Sequence, residues 1–262
     1  MELGLEGKTV VITGGATGIG KACAEIFLKE GCCVSICGRR EDKLAIFREE
    51  FAGKPVFALQ ADTAKLEDME TLAAETHARF GRIDIWINNA GTYPKSDLLD
   101  MSQDQWRQLF AVNLDGVFFG SRAAAPYLKR QGGGVILNAG SFASTMPAAG
   151  TGGYAISKAA VHHMTRVLAG ELAPYNIRVL SYLPGVTDTE ITTALIVAND
   201  EDRLYRPVAQ RRVASAEEIA NIVVFIASDR ASFMTGTAVE ASGGKYCVQN
   251  PWVPWQKMKS QG

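Results

Sequence analysis

The sequence predicts a single α/β domain, a doubly wound parallel sheet of about seven strands with helices on both faces. Two observations carry this. Short β-branched runs alternate with helix-length amphipathic stretches, and the runs are apolar nearly throughout rather than at every second residue. Alternation implies βαβ units with right-handed crossovers. Continuous runs such as Val10-Val11-Ile12 and Val135-Ile136-Leu137 suit strands covered on both sides. The runs fall at residues 9–13, 33–37, 55–61, 83–88, 134–139, 177–183 and 238–240. Between them, residues such as Leu66, Met69, Leu72, Ala73, Thr76 and Phe80 recur at helical spacing. No repeat or linker interrupts residues 1–244. Residues 245–262 form a tail with Trp252, Trp255, Pro251 and Pro254 and no periodicity. Packing on the body, packing on a neighbouring subunit and fraying all stay open for it.

Composition excludes several classes. The 262 residues carry 27 Lys+Arg against 28 Asp+Glu, a net charge of -1, so no concentrated basic surface invites nucleic acid or a membrane. Apolar runs such as residues 222–227 fall far short of the roughly 18 residues a membrane span needs. Met1-Glu2 opens with an acid and no signal peptide follows, which points to a cytoplasmic protein. Five cysteines in apolar contexts (Cys23, Cys32, Cys33, Cys37, Cys247) read as reduced, buried thiols.

In sheets of this kind, ligands bind beyond the carboxyl ends of the strands. The first strand runs into Thr13-Gly14-Gly15-Ala16-Thr17-Gly18-Ile19-Gly20 and then a helical segment. Glycines let the backbone turn sharply and approach a pyrophosphate, and the helix N-terminus offers unpaired N–H groups. The second strand ends in Cys37-Gly38-Arg39-Arg40, with no acid from residue 31 to 40 to accept from a ribose 2′-hydroxyl. Arg39 and Arg40 instead suit a 2′-phosphate, which favours NADP(H) over NAD(H). Asp62 and Thr63 end the third strand, where they serve either adenine or a helix N-cap.

Tyr154 and Lys158 stand four apart on a predicted helix and share a face. A phenol titrates near 10, about three units too weak as an acid near neutrality, each unit worth about 1.4 kcal/mol. A cation about 4 Å away contributes about 4 kcal/mol at an effective dielectric of about 20. Lys158, helped by the positive charge of an oxidised nicotinamide, is therefore expected to lower the Tyr154 pKa.

With these motifs the chain resembles the short-chain dehydrogenase/reductase family from Gly7 to about Gly244. The resemblance rests on residues 13–20, Asn88-Asn89-Ala90-Gly91, Val112-Asn113-Leu114, Ser141, the Tyr154/Lys158 pair and Pro184-Gly185-Val186-Thr187-Asp188-Thr189. It implies a one-domain Rossmann fold and a ketone/secondary alcohol oxidoreductase. Tyr154 is then the general acid/base, Lys158 its cationic neighbour and a ligand of the nicotinamide ribose. Ser141 polarises the substrate carbonyl, and Asn113 holds a water that relays protons to Lys158. For the dinucleotide, the resemblance implies contacts with Gly14, Thr17, Gly18, Ile19, Gly20, Arg39 and Arg40. Asp62 and Thr63 meet adenine, and Asn89, Ala90 and Gly91 line its ribose side. Pro184 and Gly185 lead into Val186, Thr187 and Thr189, which hold the carboxamide.

The sequence departs from the family at Thr187, at the Ala241-Ser242-Gly243-Gly244 ending and at Gly170. Members that reduce carrier-protein-bound substrates often have arginine where Gly170 stands. A small-molecule ketone or alcohol is therefore the expected substrate. Its contacts are expected from residues 142–153, from Thr92-Tyr93-Pro94 and from a lid at residues 190–212. Phe142, Met146, Tyr93, Tyr182 and Leu195 suggest an apolar pocket, and Arg203 and Arg206 lie on the lid. His77, His162 and His163 lack ligand spacing, and no metal is expected. The resemblance also suggests a homotetramer, its helices at residues 118–128 and 159–172 packed across subunits with Ala123-Ala124-Ala125 permitting close approach. Two other readings remain open: an NAD-dependent sugar or polyol dehydrogenase, and a non-catalytic dinucleotide-binding redox sensor.

Overall fold

The computed structural model describes residues 2–190, 192–193 and 204–259. Strands β1 (Thr9–Thr13), β2 (Cys33–Gly38), β3 (Val56–Gln60), β4 (Ile85–Asn88), β5 (Gly134–Ala139), β6 (Ile177–Pro184) and β7 (Ala238–Ala241) make one sheet. Their order is β3-β2-β1-β4-β5-β6-β7, and every neighbouring pair is parallel. Successive side chains of a strand leave opposite faces, so each strand feeds two cores. Val10 and Ile12 pack with Phe27 of α1 (Gly18–Lys29), Leu44 of α2 (Glu41–Glu50) and Val223 of α7 (Ala216–Ala227). Val11 and Trp86 face the other way, toward α3 (Leu66–Phe80), α5 (Gly116–Arg130) and α6 (Gly152–Leu172). The expected fold class is the observed one. The order reverses between β1 and β4, which opens a crevice at their carboxyl ends.

A short α4 (Gln103–Phe110) leads into α5 through a π-helical turn at Ala111–Asp115. Such turns often sit at functional sites, and this one carries the buried Asn113.

Two expectations change. Ala123 and Ala124 are buried within their own chain, and Ala125 packs against the same core. They let α5 approach α3 and the sheet rather than a second subunit, because the helical period turns them to the inner face. Cys247 is exposed, since it lies in the tail beyond β7, while Cys23, Cys32 and Cys37 are buried and Cys33 is half-buried. Burial pushes the Cys32 and Cys37 thiols up to about 12, so they stay protonated. In the tail, Trp255 Nε1 donates to the Ala209 carbonyl (2.9 Å), and Arg206 lies 4.3 Å over the Trp252 ring. The described tail thus packs on its own chain, ending in α8 (Val253–Lys259). No helix among the described residues is long and apolar enough to cross a membrane.

Candidate active site

A cleft of about 510 Å³ occupies the crevice. Gly14, Thr17, Gly18 and Ile19 form one wall, with Arg39 and Arg40 after β2 and Asp62 and Thr63 after β3. Asn89, Ala90 and Gly91 after β4, Tyr154 and Lys158 on α6, and Pro184 and Thr189 after β6 complete it.

The glycine turn is built for close backbone approach. Gly14 sits at φ +65, where a side chain would be strained, and a Cβ on Gly20 would collide with the Gly14 carbonyl oxygen. Thr17 precedes α1 with no side-chain cap, unlike Ser102 before α4 and Ser215 before α7, so the first N–H groups of α1 stay open to an anion. Asn89 braces this turn: its Nδ2 donates to the Thr13 (3.0 Å) and Gly14 (3.2 Å) carbonyls. Tyr182 in turn donates its hydroxyl to Asn89 Oδ1 (3.0 Å). Tyr182 is buried and lines the cleft, and through Asn89 it supports the glycine turn.

At the end of the cleft beyond β2 and β3, Arg39 has no hydrogen bond or ion pair from its guanidinium to the described residues, whereas Arg40 donates to Glu190 (2.8 Å). Asp62 Oδ1 accepts from Ala64 N (3.1 Å), and Asp68 accepts from Asp62 N (2.7 Å). The N-cap of α3 is Lys65, so neither Asp62 nor Thr63 is spent on capping.

At the opposite end, the half-buried Tyr154 sets its phenol beside the Ser141 hydroxyl, with the Tyr93 ring edge-on at 4.7 Å. Ser141 Oγ also accepts from Ala143 N (3.2 Å). Lys158 is buried and donates to the Ala139 carbonyl (2.7 Å), which anchors its ammonium at the end of β5. Asn113 is pinned on both sides of its amide: Oδ1 accepts from Thr92 N (2.8 Å), while Nδ2 donates to Thr92 O (3.0 Å) and Ser157 Oγ (3.1 Å). A Cβ on Gly91 would lie 3.4 Å from Asn113 Oδ1 and 3.5 Å from Lys158 Nζ, so this glycine keeps a gap open between them.

The protein's own residues do not by themselves produce the expected lowering of the Tyr154 pKa. Lys158 Nζ stands 5.8 Å from the centre of the Tyr154 ring. Burial raises the Tyr154 pKa above its ordinary 10, and the Ser141 hydrogen bond offsets this only partly. Burial also lowers Lys158 to about 8. Desolvation is the largest cause acting on each group, so the protein's own residues keep the phenol protonated.

Other expectations resolve unevenly. Gly185 and Thr187 serve as backbone links, Gly185 N to Ala241 O and Thr187 bridged to Ala214, while Val186 lines a separate cavity of about 180 Å³. Met146 is exposed, and Phe142 lies under the Lys245 ammonium at 4.0 Å. Leu195, Arg203 and about half of the expected lid lie outside the described residues. His77 stacks on Tyr127, and no cluster of metal-ligating side chains occurs among the described residues.

The profile of the family described as short chain dehydrogenase matches residues 8–199. This chain belongs to the short-chain dehydrogenase/reductase family. An uncharacterized oxidoreductase of Thermotoga maritima is 36% identical over 94% of this chain and all of that one. A 3-oxoacyl-(acyl-carrier-protein) reductase FabG of the same organism is 35% identical over 92% of this chain and 98% of its own. The 3beta-hydroxysteroid dehydrogenase 1 of Eggerthella lenta is 37% identical over 92% of this chain and 94% of its own. A crystal structure of a short-chain type dehydrogenase/reductase from Mycobacterium marinum superposes with a TM-score of 0.88 at 32% identity, covering 94% of this chain and 98% of that one. The protein is thus a short-chain dehydrogenase/reductase acting on CH–OH groups. Within this family frame, sequence reasoning overlooked Lys43 and the position of Glu190, which both line the cleft. Lys43 was detectable as a third cation after Arg39-Arg40. Glu190, 150 residues from Arg40, left no local signal.

Proposed function

We propose that the protein is an NADP(H)-dependent oxidoreductase that interconverts a small-molecule ketone and a secondary alcohol, with Tyr154 as the general acid/base. The observation that carries this reading is the convergence of Tyr154, Ser141 and Lys158 at one end of a cleft whose other end is the braced glycine turn. The open N–H groups of α1 and the space kept by Gly14 and Gly20 fit a pyrophosphate, and Arg39, whose guanidinium is unengaged among the described residues, suits a 2′-phosphate. The dinucleotide, when bound, supplies or accepts the hydride.

The chain's own residues position the substrate and move the proton. Ser141 donates to the carbonyl oxygen and keeps it beside the phenol. Tyr154, held protonated by burial, gives its proton to that oxygen as negative charge develops there. The Lys158 ammonium stabilises the phenolate left behind, and a water in the gap between Asn113 and Lys158 returns a proton. Reduction therefore needs Lys158 charged. Because burial sets its pKa near 8, the ammonium is present below that pH and is lost as pH rises through it, while Tyr154 stays protonated. A ketone panel assayed with NADPH and NADH should show preferred oxidation of NADPH, and kcat/KM should fall above pH about 8. Preference for NADH would overturn the cofactor assignment. A profile that stays flat well above pH 8 would overturn the role of Lys158. Tight NADPH binding without turnover of any carbonyl or alcohol would favour the sensor reading.

Gly170 lies on an exposed stretch of α6 with open space beside it, which gives an acidic carrier protein no cation there. The assembly we propose is a cytoplasmic homotetramer. Phe118 on α5 and Val167 on α6 remain exposed, 44% and 57%, and a second copy would cover them. Light scattering should give four times the monomer mass; a clean monomer would refute the assembly.

A further inference from the structure

The residues just after β6 form a strap across the cleft mouth. The Thr189 methyl packs on Gly18, so that a Cβ there would lie 3.2 Å away. Beyond it, Glu190 Oε2 lies 2.8 Å from Arg40 Nη2 and Oε1 lies 3.3 Å from Lys43 Nζ. Arg40 Nη2 also reaches Thr17 Oγ1 at 3.5 Å. Thr17, Gly18, Arg40, Lys43, Thr189 and Glu190 all line the cleft. A carboxylate of this chain therefore occupies the anion site that two of its cations build at the adenosine end.

These ties are exchangeable. The paired side chains are a third to a half exposed, and pairs of that kind are individually weak. A phosphate carries more charge than a carboxylate and offers three acceptor oxygens. We propose that Glu190 is a cofactor-specificity residue, an internal competitor that a 2′-phosphate must displace from Arg40 and Lys43, and that Lys43 joins Arg39 and Arg40 as a cation of that phosphate site. This rests on the NADP(H) reading. Glu190 holds the two cations in place when the nucleotide lacks the phosphate, and it limits the preference for a nucleotide that carries one.

The test reads binding alone. Adenosine 2′,5′-bisphosphate and 5′-AMP are titrated calorimetrically into wild type, Glu190→Gln and Glu190→Gln/Lys43→Ala at low and high salt. Glu190→Gln should bind the bisphosphate about three- to tenfold tighter with AMP affinity unchanged, and the gain should shrink at high salt. Adding Lys43→Ala should remove part of that gain, leaving the share due to the freed Arg40. If wild type prefers the bisphosphate but Glu190→Gln leaves the ratio unaltered, or shifts both ligands equally, Glu190 is not a competitor. If Lys43→Ala leaves the gain intact, Lys43 is not in the site. If wild type binds the two ligands equally, the NADP(H) reading itself fails and this proposal falls with it.

Discussion

Tyr154→Phe should lower ketone turnover by about 10²- to 10⁴-fold, the usual worth of a positioned general acid, while NADPH affinity changes little. The substitution keeps the ring that packs edge-on against Tyr93 and removes only the hydroxyl. Ser141 retains its bond from Ala143 N, so no new orphan is created on that side. Lys158 keeps its anchor on the Ala139 carbonyl. A loss confined to kcat, with cofactor binding followed by fluorescence titration, therefore isolates the proton transfer. Equal turnover by the two proteins would end the assignment of Tyr154 as the acid.

Asn88→Ala should cost about 3–5 kcal/mol of stability, far more than the lost side chain would suggest. Asn88 is buried at the end of β4 and is the hub of a polar network inside the sheet's second core. Its Oδ1 accepts from Trp86 Nε1 (2.8 Å), and its Nδ2 donates to Ser121 Oγ (3.0 Å) and Asn138 Oδ1 (2.9 Å). Asn138 then donates to Thr165 Oγ1 (2.9 Å), so the network joins β4 and β5 to α5 and α6. Truncation strands several buried partners at once, each costing about 1–3 kcal/mol, less what local rearrangement recovers. At about 2–4 °C per kcal/mol for a domain of this size, Tm should fall by roughly 10 °C in a thermal melt. A shift of only about a degree would show that the network is not a structural hub.

Much of the fold was legible because its signals are local. β1 and β5 run as their apolar runs predict, at Thr9–Thr13 and Gly134–Ala139. The strand expected from residue 83 begins at Ile85, while the backbone of Asp84 already bonds Thr9 and Val135 and its carboxylate accepts the Thr9 N–H (2.9 Å). The site motifs were legible for the same reason: a glycine turn, an Asn-Asn-Ala-Gly strand end and a Tyr/Lys pair one helical turn apart are each short and contiguous. Lys43 was within reach of that reasoning, since it stands three residues beyond Arg40.

What the chain order could not show were contacts between distant segments and the dielectric around them. Tyr182 bracing Asn89 and Glu190 meeting Arg40 join segments 93 and 150 residues apart. The π-helical turn that aims Asn113 at Thr92 and Ser157 reads as ordinary helix in the sequence. The Tyr154/Lys158 spacing is a local fact, but the direction of their pKa shifts depends on how much water the assembled cleft admits. The amino-acid sequence by itself determined the order of strands and helices and which residues end each strand. Which of those residues touch is settled by the packed chain, as is the desolvation that raises the Tyr154 pKa in the protein alone, because burial, unlike spacing, is a property of the whole fold.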